Sequence, residues 1–173
     1  MIFSMIMVVL ASCNESTVTQ DPNIKRQPGV DSVVAFNHQI VQTEIQDIED
    51  YMLRYHWDMK QSQTGLHYMI YKAGDGPLPK QGDIVSIKFR VNLLNGNVVD
   101  RSDSLALFSF EPGKRDVASG LEEGVMLMNK GSRAKLILPS HLAFGLLGDL
   151  EKIPSRAVLV YDVEVCKINR LKK

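Results

Sequence analysis

Glu122 and Glu123 are adjacent carboxylates that could work as an acid–base pair, and Cys166 is a thiol that could attack a carbonyl. His38, His56, His67 and His141 could ligate a metal. Asp100 follows the apolar pair Val98-Val99 and could act on a desolvated group. Taken in turn, most of these fall away. Glu122 stands three residues after Ser119, the spacing at which each side chain satisfies a free N–H at a helix start. Cys166 has no His or acid at a recognisable catalytic spacing and ends a strand pattern, which suits a packing thiol near a sheet edge. The histidines are scattered without metal-ligand spacing, and no cofactor is implied. The stretch Gly145-Leu-Leu-Gly148 is too short and apolar for a phosphate loop. Asp100 remains, since a carboxylate among apolar neighbours is unusual unless paired; a structural ion pair with Arg101 or Arg115 is the plainer alternative to a functional role, and the functional role is set ahead of it.

The elements that must position these residues are legible around Ser119–Gly145. Leu121, Val125 and Met128 repeat at helical spacing, and Gly124 lets that helix approach whatever it covers. Gly131 reads as its left-handed stop. Ala134, Leu136 and Leu138 then alternate with Lys135 and Ile137 as a strand ended by Pro139. A short helix crossing a curved sheet encloses a shallow apolar hollow, with Leu121 as its floor and Phe144 near its rim. Further strands are expected over Leu66–Tyr71, Ile84–Leu94, Val98–Ser102, Leu107–Phe110 and Ala157–Ile168. Asn95-Gly96 is a hairpin signal between the second and third. The fold class is therefore α+β: an antiparallel curved sheet wrapped on one short helix, preceded by an N-terminal helix. That first helix is expected over 31–56, with Asp31 or Ser32 as N-cap. Its apolar stripe is Val34, Val41, Ile45, Ile48, Met52 and Tyr55, and its solvent face is Glu44, Gln46, Asp47, Glu49 and Asp50. It packs either on the following domain or on a copy of itself, with Trp57 pinning its end and Asp58–Gly65 as a linker.

Several separated motifs stand in one order: Gly-Leu-Glu-Glu-Gly-Val from Gly120, Gly-Ser-Arg-Ala-Lys-Leu from Gly131, Ala-Phe-Gly at Ala143, Ile153-Pro154, and Leu-Val-Tyr-Asp-Val-Glu from Leu159. Over about Tyr68 to Lys167 this resembles the FKBP-type peptidyl-prolyl cis/trans isomerases, and most closely the small lipoprotein members of the Bacteroidota that include gliding-motility isomerases. The resemblance implies catalytic positions at Asp100, Phe144 and Tyr161. It implies a substrate-binding lining of Phe89, Val99, Phe108, Val117, Ala118, Leu121 and Ile153, with a backbone N–H at Val117–Ala118 meeting a ligand carbonyl. Phe110 and Leu136 read as core. Three positions depart from the family: Phe144 stands where most members have Tyr, Val99 where they have Phe, and Leu121 where many have Trp. Phe89, too, replaces a usual Tyr. Losing the Phe144 hydroxyl removes a hydrogen bond of net worth about 0.5–1.5 kcal/mol, so the resemblance implies reduced isomerase activity on X–Pro bonds. The alternative is a catalytically weak chaperone or assembly module of the same fold. Some members pair through N-terminal helices, which makes a homodimer one implied option.

With 173 residues, the chain suits one domain and an appendage. Lys plus Arg and Asp plus Glu are equal at 20 each, so charge gives no reason to expect nucleic acid as a partner. Ile2–Ala11 is mostly apolar and too short to span a membrane as a mature helix. It ends in Leu10-Ala11-Ser12-Cys13, which resembles a bacterial lipobox, although no Lys or Arg precedes the apolar run. The expected organisation is a lipoprotein signal peptide over 1–12, lipidation at Cys13, a flexible tether over 13–30, a helical segment over 31–65 and the isomerase domain over 66–173. The expected location is the cell envelope, lipid-anchored and facing the periplasm, with proline-containing polypeptides as clients. With Cys13 acylated, Cys166 has no disulfide partner in the chain.

Overall fold

The computed structural model describes residues 30–102 and 106–170. The expected signal peptide, Cys13 and the tether up to residue 29 lie outside them. The chain divides into two units, Met1–Phe36 and Asn37–Lys173. The described part of the first is the opening of helix α1 (Val30–Tyr55), and everything below concerns the second.

Period-two alternation builds the sheet. Its strands are β1 (Lys60–Gln61), β2 (His67–Lys72), β3 (Asp83–Leu93), β4 (Val98–Arg101), β5 (Phe108–Phe110), β6 (Arg133–Leu138) and β7 (Leu159–Arg170). All pairings are antiparallel, in the order β1-β2-β6-β7-β3-β4, with β5 also paired to β3. Asn95-Gly96 turns β3 into β4, with Gly96 at φ 90°. Helix α2 (Ser119–Met126) crosses the inner face, where Leu121, Val125, Leu136, Leu138, Tyr161, Val163 and Val165 form the main core. The expected α+β architecture is what the chain adopts. Gly120 and Gly124 let α2 lie close: a Cβ at Gly124 would stand 2.5 Å from Leu136 Cδ1, and one at Gly120 2.6 Å from Leu138 Cγ.

The outer face carries a second apolar layer. Ile48 and Tyr51 of α1 bury against Ile137, Val158 and Val160, flanked by Met52, Trp57, Met59 and Leu94. Trp57 closes the helix end, its N–H donating to the Met52 carbonyl at 3.0 Å and its ring tilted beside Tyr55. The helix therefore packs on the domain that follows it. The stripe differs from the expected one: Val41, Ile45 and Tyr55 are exposed, while Tyr51 is buried. The apolar cluster takes only the last two turns of the helix, so the upper positions of a regular stripe lie outside it.

Three local expectations are corrected. The N-cap of α2 is Ala118 rather than Ser119, and no side chain caps it. The helix starts at Ser119, so the capping spacing is one residue out of register. Ser119 Oγ donates to the Leu142 carbonyl at 3.4 Å, and Glu122 Oε1 accepts from the Gly113 N–H at 2.8 Å. Gly131 is not the stop of α2, which ends at Leu127 in right-handed geometry; Gly131, at φ 90°, turns the chain into β6. Cys166 sits on β7, an interior strand of the sheet rather than an edge, and is half-buried there. Burial, then Glu164, pushes its thiol pKa up, which disfavours the thiolate. The linker region contributes β1, and Ser140–Leu142 forms a short 3-10 turn; neither was expected.

Candidate active site

The inner face of the sheet places Tyr161 and Asp100 in one transverse row. Val91 of β3 is opposite Tyr161 of β7 on one side and Asp100 of β4 on the other. Directly opposed residues in antiparallel strands point to the same face. Strict alternation would send consecutive residues Val99 and Asp100 to opposite faces. A bulge resolves this: Asn92 pairs with Val98 and Val91 with Asp100, leaving Val99 as the extra residue. Val99 buries in the main core while Asp100 reaches the exposed margin. Asp100 is thus not a carboxylate enclosed by apolar groups. Its Oδ1 accepts the Arg101 backbone N–H at 2.7 Å, and neither Arg101 nor Arg115 forms an ion pair with it among the described residues.

Tyr161 is only 6% exposed. Burial, followed by the Asp100 charge, pushes its phenol pKa up, so the hydroxyl keeps its proton throughout the physiological range. Phe89 lies beside it, ring centroids 6.0 Å apart, and Phe108 meets Phe89 edge-on at 5.6 Å. Such tilted and T-shaped pairs are the preferred aromatic geometries. Leu121 and Ile153 are buried in the same cluster, and Val117 and Ala118 pack against it where the chain enters α2. Ala118 uses its carbonyl to accept from Leu121 and Glu122. Among the described residues, neither the Val117 nor the Ala118 N–H meets a backbone carbonyl.

Two loops complete the surround. Gly148 is at φ 70°, and Asp149 Oδ1 accepts the N–H groups of Glu151, Lys152 and Ile153 at 2.9, 2.8 and 2.6 Å. These three bonds fix where Ile153 enters the core. Gly148-Asp149 is a turn signal whose side chain binds its own downstream backbone, so this loop could have been read from the sequence. Phe144 follows the 3-10 turn and is 43% exposed, while Phe108 is 39% exposed. The structure thus gathers Phe89, Val99, Leu121, Ile153 and Tyr161 with Val117 and Ala118, and leaves Phe108, Phe144 and Asp100 at the open side.

A groove of about 760 Å³ is lined mainly by polar and charged residues, among them Tyr71, Lys88, Arg90, Arg133, Asp162 and Glu164, together with Phe89 and Val163. Its ionic groups suit water, and Arg133–Glu164 and Lys135–Asp162 already pair there at 2.9 and 2.6 Å. Among the described residues no cluster of His, Cys, Asp and Glu could hold a metal ion. What the inner face can offer a substrate is apolar contact, a protonated phenol and backbone N–H donors.

Residues 76–166, a little over half the chain, match the family described as FKBP-type peptidyl-prolyl cis-trans isomerase. The chain belongs to that family. It is 39% identical over 115 residues to the FKBP-type peptidyl-prolyl cis-trans isomerase FkpA of Aeromonas hydrophila, covering 65% of this chain and 41% of that one. It is 38% identical over 102 residues to FK506-binding protein 4 of Dictyostelium discoideum, covering 59% of this chain and 28% of that one. The chain therefore spans well under half of each of these relatives. Its fold superimposes on the crystal structure of FkpA from Escherichia coli with a TM-score of 0.66 at 27% identity, covering 84% of this chain and 75% of that one.

Proposed function

We propose that this FKBP-family chain is a peptidyl-prolyl cis/trans isomerase working without covalent chemistry on X–Pro bonds of proteins folding in the cell envelope. The observation that carries the reading is the gathering of Tyr161, Val99, Leu121 and Ile153 into one apolar cluster, against which Phe89, Val117 and Ala118 pack. An X–Pro bond prefers trans only slightly, but amide resonance sets a barrier of about 18–20 kcal/mol between isomers. A site lowers that barrier by binding the twisted imide better than either planar form. The twisted form has lost part of its charge-separated resonance, so an apolar surround harms it less than it harms the planar forms. The prolyl ring would seat on Tyr161, Phe89 and Leu121. The Val117–Ala118 backbone would donate to a carbonyl of the client, and Asp100 would stand at the open side. Phe144 supplies a ring and no hydroxyl, which supports a reduced rate.

The envelope setting rests on the apolar leader and Cys13 read as a lipobox. Anchoring through a diacylated cysteine would supply the two chains that stable attachment takes. No helix among the described residues is long and apolar enough to cross a membrane. The resemblance to the Bacteroidota lipoprotein group rests on the same leader. Pairing of two copies through α1 stays open, since Val41 and Ile45 are exposed on it.

A second reading, a chaperone or assembly module of the same fold, is favoured by one feature. Leu146, Leu147 and Leu150, just beyond Phe144, are 66%, 75% and 86% exposed. Exposed apolar groups beside a pocket suit capture of unfolded chain. A proline-limited refolding assay separates the two readings. An isomerase accelerates the slow phase at substoichiometric amounts and loses this when the Tyr161 surface is altered. A binding module shows no acceleration at any concentration, yet suppresses aggregation in a way that replacing the three leucines by serine abolishes.

A further inference from the structure

Glu44 was expected on the solvent face of α1, yet it is half-buried and holds two hydrogen bonds to a residue 96 positions away. Its Oε1 accepts the Ser140 backbone N–H at 2.5 Å, and its Oε2 accepts the Ser140 hydroxyl at 2.8 Å. Ser140 opens the 3-10 turn Ser140–Leu142, so its N–H is one of the groups such a turn leaves unsatisfied. A carboxylate there makes charge-assisted bonds, roughly twice as strong as neutral ones.

Ser140 is also tied to the segment that carries Phe144. Its carbonyl accepts from the Ala143 N–H at 3.0 Å and from the Gly145 N–H at 2.8 Å. Those two residues flank Phe144, so the backbone on either side of the rim ring is tied to one carbonyl, and that residue is tied to α1. Little else holds the turn from the α1 side. A cavity of about 350 Å³ lies between them, bordered by Ile40, Val41, Ile45, Pro139 and Leu146. On the opposite flank, His141 Nε2 meets the Thr64 carbonyl at 2.9 Å.

We infer that Glu44 is a positioning residue for the isomerase rim, setting through Ser140 the placement of Phe144 over the bound X–Pro bond. The inference rests on the isomerase reading and assigns α1 a part in the site, beyond holding the domain at a distance or pairing two copies. Charge strengthens the bonds from Glu44, but a neutral amide can fill the same two positions. In Glu44→Gln the amide oxygen can still accept the N–H, and the amide nitrogen can donate to the serine oxygen, since a hydroxyl both gives and takes.

The test uses the full chain, with steady-state isomerisation of an X–Pro peptide and residue-resolved amide exchange. Glu44→Ala should raise KM by about 3- to 10-fold, a fraction of what hydrogen bonds to a charged group are worth because Glu44 acts on substrate only through the turn, with kcat changing less. Exchange should speed at Ala143 and Gly145 and stay unchanged in β6 and β7. Glu44→Gln keeps the geometry with weaker, neutral bonds and should restore most of both. Ser140→Ala, which removes only the hydroxyl contact, should give an intermediate KM and serves if Glu44→Ala does not fold. An unchanged KM in Glu44→Ala, or exchange that rises uniformly over the sheet, overturns the inference. If the unaltered chain accelerates nothing, the isomerase reading falls by itself. The exchange at Ala143 and Gly145 then decides whether Glu44 orders the turn.

Discussion

Tyr161 and Asp100 stand in the same row of the sheet, two strands apart, with Val91 between them as their common partner. The phenol is buried and the carboxylate is exposed, so the row runs from the apolar core to the exposed margin of the sheet. The Asp100 charge helps keep the Tyr161 hydroxyl protonated. Phe89 stands where the family usually carries a tyrosine, so Tyr161 is the phenol this side of the hollow presents. Tyr161→Phe should therefore lower kcat/KM by about 2- to 10-fold, the range of one net hydrogen bond. Asp100→Asn should lower it by a similar factor. If the two act as a unit, the double variant should lose little more than either alone, which a double-mutant cycle on the peptide assay reads directly. Losses that multiply would show that the two residues act independently.

Restoring family aromatics should have opposite effects at two positions. Phe144 is 43% exposed, so Phe144→Tyr adds a hydroxyl at little structural cost and should raise kcat/KM by about 2- to 10-fold. Val99 is buried in the main core, so Val99→Phe forces extra volume into packed space and should cost about 1–3 kcal/mol of stability. Urea unfolding beside the peptide assay checks both. A rate gain from Val99→Phe without lost stability would mean that the hollow is roomier around the bulge than the packing indicates.

Gly124 should tolerate no side chain. Alanine favours a helix by up to about 1 kcal/mol over glycine. At Gly124, however, the added Cβ would lie 2.5 Å from Leu136 Cδ1, and Leu136 is fully buried. Overpacking of this kind costs about 1–3 kcal/mol, so Gly124→Ala should lower the urea midpoint in spite of helix propensity. An unchanged midpoint would show that Leu136 can shift aside without loss.

The alternation of Leu159, Tyr161, Val163 and Val165 and the short apolar face of Leu121 and Val125 were legible because burial imposes a period on the residues that meet it. The bulge at Val99 was not, because it is a property of pairing between strands, and neither strand alone carries its mark. Glu44 was hidden for a related reason. A helical wheel ranks positions by the company of their own helix, and its partner Ser140 is brought near only by the tertiary fold. The Ser119–Glu122 capping pattern failed by a single residue of register, since Ala118 already occupies the cap. β1 is two residues long and exposed, so no hydrophobic period could reveal it.

His67 should make the fold sensitive to mild acid. It is buried at the start of β2, its Nδ1 has no hydrogen-bond partner among the described residues, and it borders the cavity under α1. Burial lowers its pKa below the ordinary 6.5, against opposing effects from the Gly65 backbone and Glu49. The folded chain therefore takes up this proton less readily than the unfolded chain. The stability it contributes is complete above about pH 6.5 and is lost as pH falls from there through the lowered folded value. Melting temperature should decline over that window, and His67→Gln, which does not titrate there, should flatten the decline. An equal slope in the variant would assign the acid sensitivity to another group.

Asp149 governs a separate, more acidic transition local to the site. Its carboxylate accepts three backbone N–H groups, and these bonds, that from Ile153 foremost, hold its pKa below the ordinary 3.8. A depressed carboxylate contributes order that is complete above the unfolded value and disappears as pH falls through the folded one. Because Asp149 is partly exposed in a surface loop, the effect should appear in the loop rather than in global unfolding. Ile153 lies in the main core beside the proposed substrate surface, so loosening its anchor should weaken binding before it alters the fold. Amide shifts of Glu151, Lys152 and Ile153 should therefore move together below pH 3.8 while those of β6 and β7 stay fixed. At neutral pH, Asp149→Ala should raise KM for an X–Pro peptide with little change in melting temperature. Asp149→Asn keeps an acceptor oxygen without the charge and should fall between the two. A KM unaffected by Asp149→Ala would mean that Ile153 is held by packing alone, and that the three hydrogen bonds order the loop without reaching the hollow.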